Sequence, residues 1–401
     1  MKGVLRLAGF ILLPIIAAVS PLLALPAVTS QFGAAGWAAI ALGQSLGGAA
    51  AVIVELGWAL NGPQRVARAG LRSRKKLLAI ALSTKTAALA PMSAAAAVGA
   101  SLLTSSYSFE AALMAVGAAA VGLTSTWFFV GTSSPLRIAL ADTFPKVTTI
   151  SVAAVVISMG GPLWAYGAAV LLSSLASPVI SVLMVGLSRT DLRGIGPRRL
   201  VWFLRAQLLA LSGRAVSALY IALPITLVGL AAPGSVALFA AVERLQRMGL
   251  SVLQAVPNFL QAWVGRGTDQ SERLRRAHQS VLINVGLGLS AGLGFAILAP
   301  PVSRILFSGV TDIPIELSML GGLLIATVCV SRATGNILLV ALRDIRSIVR
   351  SAIAGAVIGV PLILSLAAIW GPAGGLIGEI VAECTVLLVQ VFAAFRLLRG
   401  R

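Results

Sequence analysis

The chain has 401 residues, of which 58% are hydrophobic and only 11% charged, against about 25% charged in an ordinary soluble domain. Apolar runs of about 20 residues recur from end to end, each long enough to cross ~30 Å of hydrocarbon as a helix. This excludes a soluble globular protein. It predicts an all-α polytopic membrane protein, because a β-barrel needs short alternating segments. The net charge of +19 does not point to nucleic acid, since the cations are scattered through short connections between apolar runs.

In chain order, Lys2 and Arg6 precede an apolar run in the manner of a signal peptide. That run exceeds the roughly 7–15 residues of an h-region, so a retained first helix is expected. Twelve spans follow from the hydropathy: 8–28, 36–60, 77–103, 111–131, 143–160, 163–187, 207–230, 235–263, 279–299, 317–341, 351–369 and 373–396. Only Gly160-Gly161-Pro162 separates the fifth from the sixth. With the N-terminus in the cytoplasm, 25 of the 31 basic residues fall in inner connections, notably 65–76, 189–205, 266–276 and 343–350. The outer connections hold Glu110, Asp312 and Glu316, with Arg304 as the one basic exception, read as an interfacial anchor. This positive-inside pattern places both termini in the cytoplasm.

Leu25-Pro26 precedes Gly36 as Leu223-Pro224 precedes Gly234, and Gly161-Pro162 matches Gly371-Pro372, at offsets of 198 and 210 residues. Two six-helix halves, 1–200 and 201–401, are therefore expected as parallel repeats. No connection is long enough for a soluble domain.

Apart from Lys146 and Arg396 at the inner ends of their spans, five cations lie inside predicted spans: Lys85, Arg214, Arg244, Arg247 and Arg332. The internal acids are Glu55, Glu243, Glu379 and Glu383. In the eighth span, Glu243, Arg247, Gln254, Asn258 and Gln261 fall within roughly 60° on a helical wheel. They extend over about 27 Å, nearly the hydrocarbon thickness. A charge at a helix centre costs about 2.5–3.5 kcal/mol in lipid, so this stripe must face protein or water. A Glu243–Arg247 pair at i,i+4 that glues helices together explains two residues. A water-filled cavity explains the whole stripe, including Arg244 on its shoulder. The second span repeats the theme with Gln44 and Glu55 on one face and Gly47-Gly48 between them, where a neighbour could approach closely. Lys85 either snorkels to the inner surface or lines a lumen. Arg332 is mid-span and the hardest to snorkel, Arg214 lies in the first half of the seventh span, and for both a cavity is favoured over snorkelling.

Cations in a membrane cavity call for an anionic ligand, and the guanidinium fork suits phosphate or diphosphate. No catalytic or metal site is expected: His278 is the only histidine, and Cys329 and Cys384 both sit in apolar helices. No cofactor is implied. Pro14, Pro21, Pro26, Pro91, Pro224, Pro257 and Pro361 lie within spans, as hinges or merely as tolerated breaks.

Several segments resemble the polysaccharide (O-antigen/teichoic-type) flippases of the multidrug/oligosaccharidyl-lipid/polysaccharide exporter superfamily. They are "GWAAIALGQSLGGAAAVIVELGWALNGPQRVARA", "TSTWFFVG" (with Val130 where the family has Gln), "GSVALFAAVERLQRMGLSVLQAVPNFLQAWV" and "GPAGGLIGEIVAE". The resemblance implies two six-helix bundles around a central cationic cavity in a bacterial plasma membrane. The implied function is flipping of a polyprenyl-diphosphate-linked oligosaccharide from inner to outer leaflet by alternating access. The implied partners are that lipid-linked oligosaccharide, membrane lipids and polysaccharide assembly proteins. By this resemblance Glu55, Glu243 or Glu383 would couple transport to an ion gradient. Lys85, Arg214, Arg244, Arg247 and Arg332 would hold the diphosphate, and Gln44, Gln254 and Asn258 would suit sugar hydroxyls. The lipid II flippases of the superfamily usually have fourteen spans, which sets this chain apart from them. A multidrug exporter of the same superfamily is the competing reading, which the internal arginines oppose. A membrane polysaccharide polymerase or ligase is a further alternative, opposed by the short outer connections.

Overall fold

The structure, a computed structural model, describes residues 16–17, 19–188 and 222–399. Among these there is helix and no strand, as hydrocarbon demands of a span that must satisfy its own backbone. Among the described residues, eight helical stretches are long and apolar enough to cross a membrane. The chain divides between Leu223 and Pro224 into two compact units. The boundary expected near residue 200 lies outside the described residues, as do most of the seventh span and the start of the first.

The first unit contains α1 (Leu25–Glu55), α2 (Trp58–Arg68), α3 (Leu71–Leu103), α4 (Ser108–Ala120), α5 (Thr126–Gly131), α6 (Pro135–Ile138), α7 (Phe144–Ser158) and α8 (Trp164–Val185). A short 3-10 turn, Ser20–Ala24, leads directly into α1. The first two expected spans are thus joined, and Gly33 (φ 63°, ψ −162°) breaks the helix between them. The Tyr166 hydroxyl shows how sharp that break is. It donates to the Pro21 carbonyl at 3.1 Å and accepts from Gln44 Nε2 at 3.4 Å. A straight helix would hold Pro21 and Gln44 about 35 Å apart, so the chain reverses at Gly33, where a side chain would be strained.

Close packing rests on small residues, as expected where lipid offers no hydrophobic drive between helices. A side chain at Gly43 or Gly47 would strike the carbonyls of Ala111 and Ala115 on α4. Gly48, also expected at a contact, has nothing within 4 Å.

The second unit contains α9 (Pro224–Ala231), α10 (Val236–Leu253), α11 (Ala255–Gly265), α12 (Gln270–Leu306), α13 (Ile315–Ala333) and α14 (Ile345–Arg399). The 55 residues of α14 are a hairpin, not one rod. Gly371 is non-helical (φ 58°, ψ −132°), and Gln390 Nε2 donates to Ser351 Oγ at 3.3 Å across 39 residues that a straight helix would spread over about 58 Å. The eleventh and twelfth spans are its two limbs. The eighth span is not the single helix expected over 235–263. It breaks at Gln254, because Pro257 carries no N–H and its ring clashes with the carbonyl four residues back, at Leu253.

Polar caps set the helix starts. Asp269 accepts from Glu272 N at 2.7 Å, and Asp344 accepts from Ser347 N at 3.2 Å and Ser347 Oγ at 2.6 Å. These bonds hold both carboxyls below the usual carboxylate range.

Two helix ends at the repeat spacing close with the same backbone turn, one that also ends helices at Gly160 and Gly186. Ser133 N bonds Val130 O and Ser134 N bonds Phe129 O; Arg343 N bonds Val340 O and Asp344 N bonds Leu339 O. The second pair repeats the first at an offset of 210 residues, the same as Gly161 to Gly371. Ser133 and Arg343 both have positive φ, 53° and 64°.

An arginine also caps the preceding helix in each unit. Arg74 Nε donates to Val66 O and Ala69 O, both at 2.9 Å. Arg276 Nη1 donates to Trp263 O at 2.8 Å and Arg273 Nε to Gly267 O at 3.0 Å. Replacing Arg74 with alanine is expected to cost about 1–2 kcal/mol, because charge-assisted bonds to terminal carbonyls are lost. The thermal midpoint of detergent-purified protein checks this.

Candidate functional site

The polar stripe of the eighth span survives the break at Gln254. Glu243 and Arg247 form an ion pair across one turn of α10, with Arg247 Nε 2.8 Å from Glu243 Oε1. The pair is asymmetric: the Arg247 side chain is 42% exposed and that of Glu243 only 4%. Below it, Arg332 on α13 donates from Nη1 to Gln254 Oε1 at 3.0 Å. Gln254 Nε2 in turn donates to Asn258 Oδ1 at 3.1 Å. Gln261 Nε2 donates to the Asn336 carbonyl at 3.2 Å. Arg247, Asn258, Gln261 and Asn336 are all exposed, so a polar row follows α10 and α11 with a guanidinium at one end and amides along the rest.

Behind the row stand the acids of the second limb of α14. Glu379 is buried, and its electrostatic neighbours are Glu243, Arg247 and Glu383. Glu383 lies against Ser331 and Arg332. The sequence places Glu379 and Glu383 four apart, hence on one helix face. Glu379 is an internal acid that sequence reasoning leaves out of the site, and its spacing from Glu383 is the signal for it. Arg244 sits half-buried on α10. The structure therefore gathers Glu243, Arg247, Gln254, Asn258, Arg332 and Glu383 in the second unit, with Glu379 added.

The first unit holds a different arrangement. Lys85 on α3 is 1% exposed; it neither snorkels to a surface nor opens to a lumen. Its Nζ donates to the Thr124 carbonyl at 3.0 Å and lies 5.9 Å from the Trp127 ring centre, within cation–π range. Glu55 is its electrostatic counter-charge. Thr124 needs an outside donor because the fourth span is broken there. Its ψ is 143°, and the N–H of Phe128, which would serve it in a helix, bonds Ser125 O instead. The "TSTWFFVG" segment supplies both the broken turn and the aromatic wall. Gln44 is apart from this cluster, eleven residues before Glu55 and engaged with Tyr166. Arg214 lies outside the described residues. Among the described residues no group of histidine, cysteine or acidic side chains is arranged to hold a metal.

No protein-family model and no curated protein matches the sequence. The fold is similar to that of a multidrug resistance MATE family transporter of the MOP superfamily in its inward-facing conformation. That likeness has a TM-score of 0.72 at 16% identity and covers 95% of this chain and 96% of that one. The eukaryotic MATE transporter AtDTX14 gives 0.62 at 14%, covering 98% and 96%. The lipid II flippase MurJ, inward closed, gives 0.60 at 12%, covering 97% and 87%. At these identities the likeness is one of fold. The chain is a multi-pass α-helical membrane protein that shares the architecture of these transporters.

Proposed function

We propose that this protein is a flippase that moves a polyprenyl-diphosphate-linked oligosaccharide from the inner to the outer leaflet of a bacterial plasma membrane by alternating access. The observation that carries the reading is the order of charges in the second unit. The Arg247 side chain is the exposed member of the charged group, while the carboxylates of Glu243 and Glu379 are buried behind it. A ligand approaching the row meets a guanidinium and then amides. That sequence suits a diphosphate, held by the arginine fork, followed by sugar hydroxyls on Asn258, Gln261 and Gln254. Lipid is a poor environment for Arg247, at a cost of about 2.5–3.5 kcal/mol, which supports a water-filled surface there. Arg332 and Arg244 add positive potential, and Arg214 is assigned to the same role from the sequence. In this reading Glu243 and Glu383, with Glu55 in the first unit, couple the cycle to an ion gradient. Both termini are cytoplasmic, and the partners are polysaccharide assembly proteins.

A multidrug exporter is the second reading. It is favoured by the likeness to MATE transporters and by the buried glutamates, which would attract cationic drugs.

Reconstituted protein separates the two. Translocation of a fluorescent short-chain polyprenyl-diphosphate sugar is expected, with Arg247→Ala lowering the rate at least tenfold and Arg247→Lys lowering it less. Transport of a cationic dye that is abolished by Glu379→Gln and indifferent to Arg247→Ala would establish the drug exporter instead.

A further inference from the structure

We propose that the corner between α2 and α3 is a binding surface for anionic phospholipid head groups. The corner is rigid before any lipid arrives. A side chain at Gly62 would collide with the Trp127 ring, and one at Gly131 would come within 2.7 Å of Pro63 O and 2.8 Å of Val66 Cβ. Helix α2 is thus pressed onto α5, with Trp58 and Val66 fully buried. Arg74 bonds the last carbonyls of α2, and Lys75 Nζ donates to the Gly186 carbonyl at 2.7 Å. Two of the six cations at this corner are therefore consumed in holding it together.

The other four, Arg65, Arg68, Arg72 and Lys76, are exposed. Among the described residues none of them makes an ion pair or a side-chain hydrogen bond. No aspartate or glutamate occurs from residue 56 to residue 109, so the local chain offers no counter-charge. Four like charges on a rigid corner repel one another, and an anion bound among them relieves that repulsion.

Position selects the anion. Leu71, between Arg68 and Arg72, is 80% exposed, and the apolar body of α3 begins at Leu77. Arg72 and Lys76 therefore lie within about two turns of the hydrocarbon on α3, at head-group depth, and Arg65 and Arg68 end the helix just before them. A soluble polyanion has no use for an exposed leucine among the charges, whereas a phospholipid pairs a phosphate with an acyl region at that spacing. A basic cluster beside a span gains about fivefold in anionic-lipid affinity per cation.

Native mass spectrometry of the full chain in neutral detergent, titrated with phosphatidylglycerol or phosphatidylcholine, tests this. Wild type is expected to retain phosphatidylglycerol at least tenfold better, with the preference falling as salt rises. Arg65→Ala/Arg68→Ala should reduce the preference several-fold and the quadruple alanine variant should abolish it. Arg346→Ala/Arg350→Ala, which removes exposed cations from the other unit, should leave most of it. Equal retention of the two lipids by wild type, or an unchanged preference in the double variant, would overturn the proposal. So would uptake of an RNA oligonucleotide, and not lipid, that the same substitutions abolish.

Discussion

Gly378→Leu should prevent the second unit from folding, and even Gly378→Ala should cost about 1–3 kcal/mol by overpacking. Gly378 sits where the two limbs of α14 cross. A Cβ there would fall 2.8 Å from both the backbone N and the Cα of Ile363. Those are backbone atoms, so no rotamer change relieves the clash, and the limbs must separate. Separation would pull Glu379, one residue on, away from Glu243 and Arg247. The effect on transport should therefore track the effect on stability. Gly294→Ala is the control. It lies within α12 with nothing within 4 Å of the added carbon, and alanine is the better helix former by about 1 kcal/mol. Its thermal midpoint should be equal or higher. The yield of monodisperse protein and the midpoint in detergent read both variants. An unchanged midpoint for Gly378→Ala would mean that the limbs are not in backbone contact.

The long-range architecture was legible because hydrocarbon imposes a length and a polarity that composition reveals directly. The hairpin at Gly371 was signalled by Gly371-Pro372, whereas Gly161, its counterpart in the expected repeat, does not share the positive φ of Gly371. Helix breaks were less legible. Pro257 marked the break at Gln254 in retrospect, but membrane helices tolerate proline, so its presence alone did not require one. The interruption after Ala120 has no proline at all; a 3-10 turn at Val121–Leu123 and the extended Thr124 are stabilised by Lys85, 39 residues earlier. A contact of that range leaves no periodic trace. The same limit applies to the site. The i,i+4 pair Glu243–Arg247 follows from helix geometry, whereas the approach of Glu379 to it depends on how α14 folds back.

Lys85→Ala is expected to destabilise the first unit by about 3–5 kcal/mol, through the cavity left by a buried side chain and the loss of the donor to Thr124. Lys85→Met should cost less than half as much, because its stem refills the space beside Trp127 and no charge remains to be desolvated. If Lys85 acts by holding the break in the fourth span, transport should fall in proportion to the loss of folded protein in both variants. Glu55→Gln should then leave the midpoint unchanged in the Lys85→Met background and lower it alone, since only a buried ammonium needs the carboxylate. Midpoints of the four proteins in that cycle, with translocation rates normalised to folded protein, decide the matter. A Lys85→Met protein with a wild-type midpoint and a tenfold lower rate would show instead that Lys85 meets the substrate during the cycle. With its ammonium directed at a backbone carbonyl and its side chain 1% exposed, the structural outcome is the expected one.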